Sequence, residues 1–73
     1  MVYEGELDSN GKPSGYGTGT YFDGSNIGVI YSGMWDQGVE HGYGQRSYSN
    51  SPSLVIYGEF RFGQIFGKHT VKN

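Results

Sequence analysis

The sequence contains no cysteine and no alanine, only two leucines (Leu7, Leu54) and only two prolines. Without cysteine there is no disulfide staple and no thiolate metal site, which fits a reducing compartment. Helices are normally built from Ala, Leu, Glu and Lys, so the shortage of Ala and Leu argues against a helical bundle. Few prolines, and no Gly at every third position, exclude collagen. No apolar stretch approaches the roughly 20 residues of a membrane-spanning helix, or the core of a signal peptide. Charge is sparse as well: five Lys/Arg against seven Asp/Glu give a net charge of -2. Nucleic-acid binders carry a basic footprint, so no nucleic-acid partner is expected. Surfaces drawn to acidic lipid carry polybasic patches, and none is present here.

Glycine and aromatic residues fill the gap. Fourteen of the 73 residues are Gly, against a usual share of about 7%. Each Gly costs a helix up to about 1 kcal/mol. Seven Tyr, four Phe and one Trp supply nearly half of the apolar residues. Aromatic side chains suit pleated, half-buried surfaces, and their number argues against a disordered tail. The length allows one domain. A domain this small buries only about 60% of its unfolded surface, so marginal stability is expected. The reading is a small all-β chain with many turns.

The glycines repeat. From Tyr31 the chain reads Y-S-G-M-W-D-Q-G-V-E-H-G-Y-G, with Gly33, Gly38, Gly42 and Gly44. Gly58, Gly63 and Gly67 lie 25 residues further on, and Phe60 then replaces Trp35. Gly11, Gly15 and Gly17 lie 27 residues back, whereas Gly5 lies 28 back from Gly33. The first unit therefore holds one extra residue in its turn, within Asp8-Ser9-Asn10-Gly11. The units run over about 3–30, 31–55 and 56–73, in one domain of residues 1–73.

Each unit reads as a β-hairpin. Tyr3, Gly5 and Leu7 alternate with Glu4 and Glu6, and Tyr31, Gly33 and Trp35 alternate with Ser32 and Met34. Ile56, Gly58 and Phe60 do the same around Tyr57 and Glu59. Period-two alternation puts each set on one face of a strand. Turns are expected over Asp8 to Gly15, Asp36 to Gly42 and Arg61 to Gly67, with returning strands from near Tyr16, Tyr43 and Lys68. Asp23-Gly24 and Asn50-Ser51-Pro52-Ser53 are the expected links between units. A bare mid-strand Gly needs something packed over it. An aromatic ring from the neighbouring strand is the expected cover.

This pattern resembles the MORN repeat, roughly Y-x-G-x-W-x-x-G-x-x-x-G-x-G followed by an aromatic residue and D-G. Residues 31–48 carry it as Tyr31, Gly33, Trp35, Gly38, Gly42, Gly44 and Tyr48. Residues 3–24 carry it with one insertion, and Leu7 stands for the aromatic. The third unit departs from it: Ile56 replaces Tyr, Phe60 replaces Trp, His69 replaces the last Gly, and D-G is missing. The resemblance implies an all-β fold, an elongated single antiparallel sheet of consecutive β-hairpins with about six strands. It also implies a noncatalytic scaffold or protein–protein interaction module. Some members associate with phospholipid membranes, so a peripheral membrane module that binds phospholipid is the second role implied, and several sit in cilia or cytoskeletal structures. The expected setting is cytoplasmic, with cytoskeletal or membrane association. The stretch E-G-E-L-D-S-N-G-K-P-S-G resembles the start of the MORN region before the SET domain in one class of histone lysine methyltransferase. That implies a third role, a regulatory segment of a longer enzyme.

Tyr3, Tyr21, Tyr31, Trp35, Tyr48 and Phe60 are expected to share one sheet face. They are either the core or a groove for a protein or peptide partner, since Tyr and Trp anchor many interfaces. Tyr16, Phe22, Ile30, Met34, Tyr43 and Tyr57 fall on the other face. Phe62, Ile65 and Phe66 near the last turn either fold over the sheet end as a cap or form a self-association surface. A homodimer through the sheet end or edge follows from the latter.

No catalytic residue, metal site or cofactor is expected. Gly63 to Thr70 has three residues between its glycines and His69 after Lys68, which breaks the phosphate-loop pattern. Gly15-Tyr16-Gly17-Thr18-Gly19 lacks the third dinucleotide-binding glycine. Asp8-Ser9-Asn10-Gly11 has its Gly two places early for a calcium loop and reads as a turn. His41 and His69 occupy different unit positions and form no pair; a turn hydrogen bond is expected for His41. Glu4 and Glu6 read as a solvated face.

Overall fold

The computed structural model describes residues 1–22, 28–49 and 51–72. Six strands follow in chain order: β1 (Val2–Leu7), β2 (Pro13–Thr20), β3 (Val29–Asp36), β4 (Val39–Tyr48), β5 (Ser51–Arg61) and β6 (Gln64–Lys72). They form one open sheet in the order β1-β2-β3-β4-β5-β6. Every pairing is antiparallel and joins sequence neighbours. This is the elongated all-β sheet of consecutive hairpins, with extents of 37 × 25 × 18 Å.

A row of glycines crosses the sheet. Gly5 pairs with Gly17, Gly17 with Gly33, Gly33 with Gly44 and Gly44 with Gly58. The sixth place belongs to His69, opposite Gly58. The row lets backbones approach closely. A Cβ at Gly33 would stand 2.6 Å from the Tyr43 carbonyl oxygen and against the Gly44 main chain.

The returning strands start earlier than the turn signals suggest: at Pro13, Val39 and Gln64 rather than near Tyr16, Tyr43 and Lys68. The second and third hairpins close in two residues, Gln37-Gly38 and Phe62-Gly63. Their φ values are 51° and 87°, and 52° and 78°. Paired positive φ values match the right-handed twist of the flanking strands. The first hairpin holds one more residue between Leu7 and Pro13 than the second between Trp35 and Glu40, as the sequence offset requires.

Gly15, Gly42 and Gly67 do not close the turns. Each sits inside a returning strand, in the same irregularity of all three hairpins. In the second, Gly33 faces Gly44 while Trp35 faces Glu40, so β4 carries two residues more than β3 across this stretch. Gly42 takes φ 117° there. A bulge and a turn both ask for Gly with positive φ, so composition does not separate them.

Ser51 to Ser53 belong to β5 rather than to a link. Proline is tolerated at the start of a strand, where Pro52 lies. Asn50 and the Asp23-Gly24 turn lie outside the described residues.

The hairpins interlock at their turns. The Gly38 amide donates to the Pro13 carbonyl across 3.0 Å, and the Gly63 amide to the Glu40 carbonyl across 2.9 Å. Pro13 and Glu40 occupy the same place in successive units. The repeat thus recurs as a hydrogen bond as well as a sequence.

Candidate functional site

The packed face is built from aromatic rings and bare backbone. Tyr31, Trp35 and Phe60 are 0%, 3% and 0% exposed, with Tyr3 and Tyr21 packed against them. The rings meet edge to face in a continuous column. Tyr3 to Trp35 and Trp35 to Tyr31 are each 5.2 Å between centroids, Tyr31 to Phe60 is 4.9 Å, and Phe60 to His69 is 5.2 Å. Such contacts are worth about 0.5–1.5 kcal/mol each beyond area burial.

A single sheet has no second layer to cover a face, yet these rings are covered. The glycine floor explains it: with no side chains beneath, the rings lie down across the backbone and cover one another. Tyr3 lies over Gly17, and Tyr31 over Gly44, each a strand away. Gly5 and Gly33 instead meet their partner strand's main chain, with the hydroxyl of their own strand's Tyr beside them. The Tyr hydroxyls are spent locally. Tyr3 donates to the Glu6 carbonyl at 2.6 Å, and Tyr31 to the Met34 carbonyl at 2.9 Å. Burial pushes the Tyr31 phenol up to about 12, helped by the nearby Glu40 charge. In the third unit Ile56 has no ring to offer. The cover comes from the other strand, where the His69 ring lies over Gly58.

Of the six residues expected as partner anchors, the structure therefore puts Tyr31, Trp35 and Phe60 out of reach of a partner. Tyr3, Tyr21 and Tyr48 are half-buried around them. Phe62, Ile65 and Phe66 do not fold over the sheet end, because β6 pairs along β5 and holds them in strand and turn. Phe62 is 76% exposed at the turn tip, edge-on to His41 at 4.9 Å. His41 Nδ1 accepts the Phe62 amide at 3.4 Å, so His41 does bond a turn, but that of the following unit.

A polar cluster absent from the sequence reading sits beside the column. Glu40 is 2% exposed. Its carboxylate accepts the Tyr21 hydroxyl at 2.7 Å and the Arg46 Nε at 3.0 Å. Arg46 also donates to the Gly63 carbonyl at 2.7 Å and lies 5.0 Å over the Phe60 ring. Tyr21, Val29, Glu40, Arg46 and Gly63 line a hollow of about 180 Å³. Burial raises the Tyr21 phenol well above its usual range, and its bond to the Glu40 carboxylate adds to this. Burial works against the Arg46 charge, but the Glu40 hydrogen bonds and charge outweigh it and hold the guanidinium above its ordinary value. The signal was a broken repeat. The Glu40 position is Pro13 and Ile65 in the other units, and the Arg46 position is Gly19 and Val71. The middle unit alone is charged at both, with opposite signs.

The opposite face is open. Tyr16 pairs with Met34, Tyr43 with Glu59 and Gln45 with Tyr57. Tyr16, Met34, Tyr43 and Tyr57 are exposed, Tyr43 by 72%. Tyr16, Tyr43 and Tyr57 line a shallow hollow of about 440 Å³, floored by Gly33 and Gly44, with Ser32 and Gln45 beside them. Among the described residues no three His, Asp or Glu side chains gather as metal ligands would, and no helix is long and apolar enough to cross a membrane.

The MORN repeat pattern matches residues 3–26 and 31–51. The chain belongs to the MORN repeat family. It is 45% identical over 51 residues to MORN repeat-containing protein 3 of Xenopus laevis. That match covers 66% of this MORN chain and 21% of the relative, so the chain spans about a fifth of the length of the curated relative it matches. The matched segments include the glycine row from Gly5 to Gly44, the first two bulges and the rings of Tyr3, Tyr31 and Trp35. The MORN signature is thus a specification for ring-over-glycine packing.

Proposed function

We propose that this MORN domain is a noncatalytic protein-interaction module that docks its partner on the tyrosine face. The observation that carries this is the hollow between Tyr16, Tyr43 and Tyr57. Aromatic side chains with a polar tip supply contact area at low entropic cost and dominate many interfaces. Here three of them stand around uncovered backbone, with Ser32 and Gln45 able to hydrogen-bond a visiting chain. The aromatic column on the other face supports the site by holding the strands beneath it.

Phospholipid recognition has less behind it. Arg46 is held by Glu40, and Arg61 is paired with Glu59 at 3.1 Å and stacked on Phe66 at 3.7 Å. Arg46 cannot meet a head group without breaking its bonds to Glu40, and Arg61, though 48% exposed, already has a carboxylate partner.

The test compares wild type with a Tyr16→Ser/Tyr43→Ser variant, shown by circular dichroism to remain folded. Both are photo-crosslinked in cell extract and sedimented with acidic vesicles. Adducts that vanish in the variant support the proposal. Equal adducts from both proteins, or salt-sensitive pelleting with vesicles in place of adducts, overturn it.

A further inference from the structure

We infer that copies of this chain join head to tail, the outer edge of β6 pairing with the outer edge of the next copy's β1, so that the sheet continues from one molecule into the next. This surface is distinct from the tyrosine face, and the inference goes beyond the docking role proposed for that face.

Two edges of the sheet are open. Among the described residues the outer sides of β1 and β6 pair with no strand. An open edge is a template for another chain. The two existing junctions between units, β2 with β3 and β4 with β5, show what a third would contain. They share one register. Gly17 faces Gly33 and Gly44 faces Gly58; one step along, Tyr16 faces Met34 and Tyr43 faces Glu59. The repeat puts His69 where Gly17 and Gly44 stand, and Gly5 where Gly33 and Gly58 stand. Setting His69 opposite the next copy's Gly5 therefore extends the sheet with no change of register.

That register matches charge. Lys68 takes the place of Tyr16 and Tyr43, and Glu6 takes the place of Met34 and Glu59. Lys68 thus meets the next copy's Glu6, and both are exposed. Within its own hairpin Lys68 lies in the bulge between Phe66 and His69, opposite no residue of β5. It makes no ion pair among the described residues. Glu6 uses Oε1 to accept the Tyr16 amide at 2.7 Å, which leaves Oε2 for a second donor.

The register also matches volume. At the existing junctions Trp35 lies on Gly19, and Phe60 lies against Arg46. At the third the corresponding pair is Leu7 and Val71, each 57% exposed. The ring gives way to Leu where the floor gains a Val side chain. Like edges do not match: β1 on β1 sets Glu4 and Glu6 against the same two residues, a destabilising arrangement, and neither self-pairing buries Leu7 against Val71. One link is missing from the joint. The Gly11 amide, which corresponds to those of Gly38 and Gly63, is already bonded to its own Asp8 carbonyl. A heterologous contact of this kind builds open chains rather than a closed pair.

Sedimentation velocity of the whole chain, from micromolar to millimolar, is the experiment. Species of two, three and more times the 8.0 kDa chain mass are expected, growing with concentration. Lys68→Glu and Glu6→Lys should each raise the dissociation constant of the joint at least about tenfold, since like charges across an interface cost several kcal/mol. An equimolar mixture of the two variants should restore assembly, because every joint of an alternating chain again holds one Lys and one Glu. Val71→Lys, at an exposed position and shown by circular dichroism to remain folded, should weaken the joint as well. Tyr16→Ser/Tyr43→Ser should assemble as the parent does, which separates this edge from the tyrosine face. A chain that stays monomeric at every concentration overturns the inference. So does an assembly that stops at two copies, one indifferent to Lys68→Glu and Val71→Lys, or one that requires Tyr16 and Tyr43.

Discussion

Trp35 and Gly17 are joined across two strands. The indole Nε1–H donates to the Gly17 carbonyl at 3.0 Å, while the far edge of the same ring lies on Gly19. One side chain thus stitches the second hairpin to the first, using a polar contact at one end and bare backbone at the other. A Cβ at Gly19 would stand 2.7 Å from the indole ring. The glycines and the rings are two halves of one device.

Gly33→Val tests that device directly. Valine has the better strand propensity, but its Cβ would enter the space of the Gly44 and Tyr43 main chains. Overpacking costs about 1–3 kcal/mol, and in a domain of this size each kcal/mol moves the melting temperature by about 4–8 °C. A fall on the order of 10 °C is expected in a thermal melt. A variant melting at or above the parent would refute the packing argument.

The Glu40–Arg46 pair gives a second prediction. Glu40→Ala leaves a guanidinium beside Phe60 with no carboxylate, only the Gly63 carbonyl and the Tyr48 hydroxyl, as partners. Unpaired buried charges cost 3–5 kcal/mol; partial exposure of Arg46 lowers the expected loss to about 2–3 kcal/mol. Adding Arg46→Met should recover most of it, because the pair's own desolvation cost disappears. Urea unfolding of the single and double variants measures both. Further loss in the double variant would show that the pair, rather than its stranded half, carries the stability.

Phe62 offers a gain. It holds φ 52° at the third turn with its ring mostly in solvent. Left-handed backbone costs a residue with a Cβ about 1–2 kcal/mol, and Asn-Gly is the preferred pair for this turn. Phe62→Asn should raise the melting temperature by a few degrees, less the contact with His41. A lower melting temperature would mean that contact outweighs the strain.

Alkaline pH should unfold the sheet from its core. The folded-state values of Tyr21 and Tyr31 lie above the ordinary phenol value of 10.0, Tyr31 at about 12. Raised folded values favour the neutral phenols in the native state. Their stability contribution is complete below about pH 10 and is lost as pH rises through 10 to 12 and beyond. Phenolate absorbance from these two should therefore appear together with loss of circular dichroism, and Tyr21→Phe should reduce it. Complete phenolate formation with circular dichroism retained would contradict the assignment.

Spacing alone made the hairpins, their order and the extra residue before Pro13 legible, because Gly and aromatic residues recur at fixed offsets. It left the bulges hidden, since Gly15, Gly42 and Gly67 look the same in a turn or a bulge. Trp35, Tyr31 and Phe60 read equally as groove or core; burial follows from rings lying flat on glycine, a property of the row and not of any one residue. Glu40 and Arg46 escaped notice because attention to a repeat favours what recurs, and this pair is written where the repeat fails. Alternation puts Tyr16 and Tyr43 on the face opposite the column, but their exposure depends on how that column is packed.

Because each strand is bonded only to the strand before and after it, a pull between β1 and β6 travels through the ladders in series. Among the described residues no staple spans more than one unit; the bonds from Gly38 to Pro13, from Gly63 to Glu40 and from Tyr21 to Glu40 each join only successive units. Under tension across the strands the domain should peel hairpin by hairpin, yielding gradually where a closed sandwich would snap.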